Sequence, residues 1–214
     1  MSDLKKEYDL IVIGGGAGGL VVASGAAQFG ARVALVEKEQ GLGGDCLYFG
    51  CVPTKSLVRV ARLLSLIRRS EEFGLGRPTF QADPDALFEG AMARMRRMVE
   101  KVGAHDDPKR FQRMGIDLFF GEGRFIDPRT FEIKGAHLYG RRFVLATGSR
   151  AATLPVPGLQ EAGGLTHATA LQLTRRPASM AIIGAGPTGI EFAQIFQRLG
   201  VAVTVIEKEG RILP

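Results

Sequence analysis

An α/β fold built on parallel β-sheets is the fold class that the sequence predicts. Residues 8–37 have the pattern of a strand, a glycine-rich turn, a helix and a second strand, and the same succession recurs at residues 180–208. Strands that alternate with helices are typical of parallel sheets covered by helices. Hydrophobic residues make up 45% of the chain, which is enough to form the cores that such layers need.

The first βαβ motif begins with residues 10–13, an apolar run rich in β-branched residues that predicts a buried strand. Three glycines at GxGxxG spacing follow it, namely Gly14, Gly16 and Gly19. The first permits a tight turn, the second lets a pyrophosphate approach the backbone, and the third lets helix and strand pack closely. A helix ending at Gly30 and a strand ending at Glu37 complete the motif.

Glu37 lies 18 residues after Gly19, at the end of the second strand. An acidic side chain here accepts hydrogen bonds from ribose hydroxyls and repels a 2′-phosphate. The N–H groups and the positive dipole of the helix start would hold a pyrophosphate. Together these features indicate dinucleotide binding. The alternative is a glycine-rich loop in another kind of α/β protein.

A second motif at residues 180–208 has its glycines at the same spacing, namely Gly184, Gly186 and Gly189. Its helix ends near Gly200 and its second strand ends at Glu207. The two motifs indicate either two bound dinucleotides or a duplication in which one copy no longer binds. Glu207 favours NAD over NADP, because a carboxylate repels the 2′-phosphate.

The two cysteines of the chain, Cys46 and Cys51, lie between the motifs. Two are too few for a disulfide-rich secreted scaffold or for a zinc site of cysteines alone, so the pair indicates redox chemistry or chance. Five residues of regular helix advance about 7.5 Å, whereas a disulfide needs its Cα atoms within about 7 Å. A bridged pair therefore requires a bent chain, and Gly50 supplies the flexibility.

Pro53 predicts that a helix begins beside the second cysteine, because proline favours the first helical turn. Apolar residues at helical spacing follow it: Leu57, Val60, Ala61, Leu64 and Ile67. Cys51 is expected just ahead of the helix N-terminus, where the dipole stabilises a thiolate, and Lys55 would add positive charge. The alternative is an inert buried pair or a structural disulfide.

Residues 43–55, GGDCLYFGCVPTK, resemble the active-site segment of the class I pyridine-nucleotide disulfide oxidoreductases. These flavoproteins include dihydrolipoamide dehydrogenase, glutathione reductase and mercuric reductase. Residues 117–125 resemble the family's contact with the adenine of FAD, and residues 143–158 its crossover between flavin and nicotinamide domains. The resemblance covers essentially the whole chain. It implies an FAD-binding Rossmann-like domain at residues 1–150 and the first βαβ unit of an NAD(P)-binding Rossmann domain at residues 151–214.

The resemblance also implies roles for individual residues. The first glycine motif and Glu37 would hold the ADP half of FAD, and the second motif with Glu207 would hold NAD(H), with NADP(H) less favoured. Cys51 would lie beside the flavin, Cys46 would be the interchange thiol that meets the substrate, and a buried Lys55 would pair with Glu191. The further cofactor-binding positions that it implies are Gly44, Lys55, Gly123, Thr147 and Gly148.

The implied function is electron transfer between a nicotinamide, FAD and the Cys46–Cys51 disulfide, with a disulfide, dithiol or mercuric substrate. Asp45 and Tyr48 stand where the family usually has threonine and asparagine. A carboxylate beside Cys46 disfavours its thiolate, which favours the mercuric-reductase-like branch. No metal-binding site is expected in the chain.

Complete members of the family are more than twice this length, and their C-terminal part supplies an acid–base pair across a homodimer. The sequence is therefore expected to be a fragment that binds FAD weakly and turns over feebly, if at all, by itself. The three histidines, His105, His137 and His167, are expected on surfaces or loops. The net charge of +6 is scattered and the apolar N-terminal run is interrupted by glycines, so a cytoplasmic protein without a nucleic-acid or membrane partner is expected.

Two other classes of function stay open. One is a flavoprotein oxidase or monooxygenase that uses the same nucleotide-binding folds without thiols. The other is a non-catalytic nucleotide-binding protein whose thiols sense the redox state.

Overall fold

A computed structural model describes residues 7–76, 83–152, 154–159 and 161–213. The described residues fall into two compact units. The first unit comprises those of Met1–Tyr48 and Glu100–Ala152, and the second comprises those of Phe49–Val99 and Thr153–Pro214. Both contain helices and parallel strands, and the first also contains the antiparallel strand pairs β5–β6 and β6–β7 in the numbering below, which confirms the predicted α/β class. The domain limits predicted from the sequence stay a prediction.

Both predicted βαβ motifs are present, as β2–α1–β3 and β9–α7–β10 in the following numbering. The strands are β1 (Glu7–Tyr8), β2 (Leu10–Ile13), β3 (Val33–Glu37), β4 (Ile116–Phe120), β5 (Gly123–Asp127), β6 (Thr130–Ile133), β7 (Ala136–Gly140), β8 (Phe143–Leu145), β9 (Ser179–Ile183) and β10 (Ala202–Ile206). The α-helices are α1 (Ala17–Gln28), α2 (Gly44–Tyr48), α3 (Cys51–Arg68), α4 (Pro84–Gly103), α5 (Pro108–Arg113), α6 (His167–Ala170) and α7 (Pro187–Arg198).

The first unit contains a parallel sheet in the order β4-β3-β2-β8. Side chains alternate across its faces. Val33 and Leu35 of β3 join a core cluster with residues of α1, whereas Ala34 and Val36 join another with residues of β6 and β7. Those two strands belong to a second sheet, in the order β1-β7-β6-β5. The parallel sheet is therefore covered on both faces, as its apolar strands predicted.

Both motif helices end at the glycines that the sequence singled out. Gly30 and Gly200 have φ angles of +82° and +89°, a region that side-chain-bearing residues rarely adopt. The residue after each glycine donates its N–H to a carbonyl one turn back, that of Ala26 at 3.1 Å or that of Phe196 at 3.0 Å. This closure satisfies carbonyl groups that a helix end leaves unpaired.

Two other helices begin at an aspartate followed by a proline. The Asp83 carboxylate accepts a hydrogen bond from the N–H of Ala86 at 3.2 Å, at the start of α4. The Asp107 carboxylate accepts one from the N–H of Lys109 at 2.8 Å, at the start of α5. In each case the aspartate satisfies a donor that has no partner within the helix.

The second unit packs α3, α4 and α7 around one core, with the parallel pair β9–β10 beside α7. Phe88 of α4 and Phe196 of α7 are fully buried and stack with ring centroids 6.3 Å apart. Leu57 and Leu64, two of the apolar positions that predicted α3, are buried in the same cluster. In the part of the chain that the structure describes, each helix is too short or too polar to traverse a lipid bilayer.

Tyr8 of the second sheet contacts the parallel sheet, because its hydroxyl donates a hydrogen bond to Asp117 Oδ2 at 2.8 Å. Burial, the hydrogen bond and the charge of Asp117 raise the pKa of Tyr8 well above its ordinary value. The folded state therefore holds this proton more tightly than the unfolded state. The resulting stabilisation is complete below the unfolded pKa of about 10 and is lost as the pH rises above it.

We therefore expect the free energy of unfolding of the wild type to fall, relative to Tyr8→Phe, by up to about 1.4 kcal/mol per pH unit above about pH 10. Urea unfolding of both proteins from about pH 9 upward measures the difference. Parallel curves for the two proteins would contradict the raised pKa of Tyr8.

Candidate functional site

The first glycine of the first motif makes a turn that leaves no room for a side chain. Gly14 has a φ of +110° and donates its N–H to the carbonyl of Val36 at 2.8 Å. A Cβ added to Gly14 would lie 2.1 Å from the carbonyl oxygen of Ala146. Glycine is required here by backbone conformation and by backbone packing together.

The other two motif glycines shape the start of α1. A Cβ on Gly19 would lie 1.8 Å from the Gly14 carbonyl oxygen, so helix and turn are in direct backbone contact. Gly16 is the N-cap residue of α1 and forms no side-chain cap. A Cβ there would find the Gly44 Cα at 3.8 Å as its nearest neighbour. The helix start therefore has backbone donors without a side-chain cap, which fits the pyrophosphate of a dinucleotide.

Glu37 closes this turn from the end of β3. Its carboxylate is buried and accepts hydrogen bonds from the N–H of Gly15 at 2.7 Å and from that of Glu39 at 2.9 Å. Each oxygen keeps a further lone pair, since a carboxylate has about four acceptor positions. These backbone hydrogen bonds fix the carboxylate beside the glycine turn, where the sequence motif predicts that a ribose binds.

The segment before the cysteines begins against the same turn. Gly43 has a φ of +115° and donates its N–H to the Gly15 carbonyl at 2.8 Å. A Cβ on Gly44 would lie 2.8 Å from the Cα of Gly16. The family resemblance implied that Gly44 belongs to the cofactor site, but it did not indicate Gly15 or Gly43. Their contacts join segments more than twenty residues apart in the chain, so local sequence gives little sign of them. The one signal was that each lies next to a glycine already assigned to the site.

The segment that resembles the family's adenine contact contains two glycines with different surroundings. Gly121, which sequence analysis did not assign, has a φ of +140° and donates its N–H to the Glu37 carbonyl at 2.8 Å. Gly123 lies in β5, where a Cβ would be 2.3 Å from the Phe131 ring and 2.5 Å from the Glu132 carbonyl. Strand packing therefore accounts for Gly123. Its role in cofactor binding stays a prediction.

The predicted crossover positions follow β8. The N–H of Ala146 donates to the carbonyl of Ile13 at 2.8 Å, which brings the end of β8 beside the first glycine turn. Thr147 and Gly148 come next, and Gly148 has a φ of +71° with open space around it. These two residues thus follow the strand end that contacts Gly14.

The two cysteines lie on separate helices, as the bend predicted between them requires. Cys46 is in α2 and half-buried, whereas Cys51 is the first residue of α3 and exposed. Helix α3 starts two residues earlier than Pro53 predicted, because the Gly50 carbonyl already accepts the N–H of Thr54 at 3.0 Å. Cys51 thus lies within the first turn of α3, where the helix dipole favours negative charge.

Lys55 and Glu191 are in contact, as the family resemblance implied, although 136 residues separate them. The Lys55 ammonium of α3 donates to Oε1 of Glu191 on α7, within the second unit. Cys51 and Lys55 are four residues apart and share one face of α3. The Lys55 side chain is 66% exposed, so the buried lysine expected from the sequence is not observed. An exposed ion pair contributes about 0–1 kcal/mol to stability. The pair therefore matters here mainly because it fixes the position of the Lys55 ammonium.

The second glycine motif repeats the geometry of the first. Gly184 has a φ of +102° and donates its N–H to the Ile206 carbonyl at 2.8 Å. A Cβ on Gly189 would lie 2.0 Å from the Gly184 carbonyl oxygen, and one on Gly186 would meet no atom within 4 Å. Glu207 accepts the N–H of Ala185 at 2.6 Å, and this and neighbouring backbone bonds lower the pKa of Glu207. Its carboxylate is therefore ionised at neutral pH.

Other polar features lie outside the two glycine motifs. A cavity of about 480 Å³ is lined by Tyr8, Gln112 and residues 115–119, of which 117–119 belong to the segment that resembles the family's adenine contact. Among the described residues, no three His, Cys, Asp or Glu side chains are grouped in a way that could hold a metal ion. His105 and His137 are exposed, and His167 begins the short helix α6.

Comparisons with known proteins agree with this geometry. The model of the family "Pyridine nucleotide-disulphide oxidoreductase" matches residues 8–214. Dihydrolipoyl dehydrogenase of Acholeplasma laidlawii is 34% identical over 215 residues, which cover 99% of this chain and 62% of that protein. A mercuric reductase of Staphylococcus aureus is 34% identical over 211 residues, which cover 96% of this chain and 37% of that protein.

Solved structures show the same relationship. The HOCl-induced flavoprotein disulfide reductase RclA from Escherichia coli aligns with a TM-score of 0.80 at 28% identity, over 97% of this chain and 43% of that chain. The chain thus spans less than two thirds of the length of each of these relatives. The family relationship implies that a flavin and a pyridine nucleotide are the cofactors. Because the match extends over almost the whole sequence, the chain belongs to the pyridine nucleotide-disulphide oxidoreductase family.

Proposed function

We propose that the chain is the FAD-binding part, with the start of the NAD(P)-binding domain, of an FAD-dependent, NAD(P)H-linked disulfide oxidoreductase. It would pass electrons between a nicotinamide, FAD and the Cys46–Cys51 pair, with a disulfide, dithiol or mercuric substrate. The observation that carries the proposal is the contact of Lys55 with Glu191, four residues along α3 from Cys51. Nothing local in the sequence brings that pair together.

The two nucleotide motifs support distinct cofactors. The uncapped start of α1, with Glu37 held beside it, suits the ADP half of FAD. The ionised Glu207 suits the unphosphorylated ribose of NAD(H) at the second motif, since it would repel a 2′-phosphate. We assign the FAD-binding domain to residues 1–150 and the start of the NAD(P)-binding domain to residues 151–214.

The thiols can carry a complete exchange reaction. In the reduced protein Cys46 attacks one sulfur of a substrate disulfide, which forms a mixed disulfide and releases the first thiol. Cys51 then attacks the Cys46 sulfur, which releases the second thiol and leaves the Cys46–Cys51 disulfide. The substrate gains two electrons and two protons, and the cysteines lose them. A dithiol substrate runs the same exchange in reverse, and a mercuric ion would bind the soft thiolates.

The thiol nearer the helix start lies close in sequence to a cation. Cys51 is the first residue of α3, and Lys55 follows it four residues later on the same face of the helix. Glu191 holds the Lys55 ammonium in place. Bound FAD would supply the two-electron step that returns the disulfide to the dithiol. In the complete protein we propose a homodimer that works in the cytoplasm on a small-molecule substrate, without a nucleic-acid or membrane partner.

Anaerobic titration of the oxidised, FAD-loaded chain with dithionite tests the proposal. We expect each flavin to be accompanied by two further electrons, taken up by the cysteine pair, and a long-wavelength thiolate–flavin absorbance to appear. A variant with serine at positions 46 and 51 is the control and should take up only the electrons of the flavin. If the wild type behaves like this control, the thiol-independent oxidase or monooxygenase class replaces the proposal.

A further inference from the structure

The turn between β6 and β7 holds a lysine in an unusual conformation. Ile133 pairs with Ala136, so Lys134 and Gly135 form a two-residue hairpin turn, with φ angles of +47° and +79°. Such turns need positive φ at both positions and favour asparagine, aspartate or glycine. A residue kept in a disfavoured conformation is a reason to ask what its side chain does.

The Lys134 side chain lies directly on Gly121. A Cβ added to Gly121 would be 2.6 Å from Lys134 Cε, 3.4 Å from Cδ and 3.3 Å from the ammonium nitrogen. The Lys134 side chain can therefore pass over Gly121 only because Gly121 has no side chain. Lys134 itself is exposed, and no acidic side chain within the described residues forms an ion pair with it.

This contact places the ammonium at the edge of the parallel sheet where ligands bind. Gly121 directly follows β4, and its N–H donates to the carbonyl of Glu37 at the end of β3. Glu37 and Phe120 are partners in the register of these two strands. Ligands of open parallel sheets bind outside the carboxyl ends of the strands. Lys134 thus reaches, from the other sheet, the strand end next to the proposed ribose-binding carboxylate.

We propose that Lys134 is a binding residue for the adenosine end of the dinucleotide held by the first glycine motif. Its methylene groups would cover the purine, and its ammonium would interact with the ring face or the acceptor nitrogens of the base. This inference rests on the proposed function, since it takes the first motif to bind an adenine dinucleotide. It adds a residue from the β6–β7 hairpin to a site otherwise built from the βαβ motif.

Binding of ADP and of inorganic pyrophosphate to the 214-residue chain tests it. Lys134→Asn removes the ammonium and suits the turn, so the fold is preserved. We expect it to weaken ADP binding by roughly threefold to thirtyfold and to leave pyrophosphate binding unchanged. Lys134→Arg should retain most of the affinity for ADP. The matched control is Lys109→Asn, the same loss of charge at an exposed lysine of the first unit.

The outcomes separate the two proposals. Wild-type binding of ADP with an unchanged Lys134→Asn affinity overturns the role of Lys134 alone. An equal loss for ADP and pyrophosphate overturns it too, because the charge would then act on phosphate at long range. If the wild type binds no ADP, the assignment of the first motif fails and this inference fails with it.

Discussion

Replacing Gly19 by alanine is expected to destabilise the first unit by about 3 kcal/mol, which is the upper end of overpacking costs. The added methyl group would lie 1.8 Å from the Gly14 carbonyl oxygen, and the third nearest atom, Val12 Cγ1, is only 3.3 Å away. The backbone fixes the position of a Cβ, and the Gly14 oxygen is itself a backbone atom, so no rotamer change can relieve the contact. The helix must move away from the glycine turn, and the proposed pyrophosphate site would be lost with it.

Gly25→Ala is the matched control in the same helix. A Cβ on Gly25 meets no atom within 4 Å, and alanine in a helix interior is favoured over glycine by about 0.5–1 kcal/mol. Urea unfolding and ADP affinity of both variants measure the contrast. Equal stability of Gly19→Ala and the wild type would show that α1 does not pack on the turn as described.

Cys51→Ser is expected to stop disulfide exchange after its first step. Cys46 would still attack a small disulfide such as oxidised glutathione, but no second thiol would remain to resolve the mixed disulfide. The variant should therefore hold one glutathione per chain at Cys46 and release only one thiol. Mass spectrometry of the intact protein and a count of released thiols measure both quantities.

Cys46→Ser is the informative counterpart, because the exposure of the two thiols is the opposite of what their proposed roles suggest. Cys51 is exposed, whereas Cys46, which is proposed to meet the substrate, is half-buried. We expect Cys46→Ser to acquire glutathione much more slowly in the FAD-loaded protein. If it reacts as fast as Cys51→Ser, the interchange role belongs to Cys51.

Short-range patterns predicted both βαβ motifs and the helix that follows the cysteines. Glycine spacing and apolar runs located β2–α1–β3 and β9–α7–β10, because a turn, a helix start and a helix end each depend on a few neighbouring residues. The same patterns did not predict the sheet formed by β1, β5, β6 and β7. Its first strand, β1, pairs with the distant strand β7, and pairing between such distant segments leaves no local signal.

The residues of the candidate site also differ in how far local sequence could locate them. Local sequence was enough to locate Gly14, Gly19, Glu37 and their counterparts in the second motif, since each is required by the conformation of its own βαβ motif. The resemblance to a known family, not periodicity, supplied the pairing of Lys55 with Glu191. The exposure of Lys55 and the position of Lys134 on Gly121 were decided by tertiary structure.

By itself, the sequence determined two βαβ motifs with GxGxxG glycines and a pair of thiols near a helix start, because all three are properties of neighbouring residues. Only the tertiary structure decided which glycines contact distant backbone, which side chains are buried and which cation reaches the end of β4. These depend on how segments more than ten residues apart pack together, and chain entropy opposes that ordering until the whole core forms.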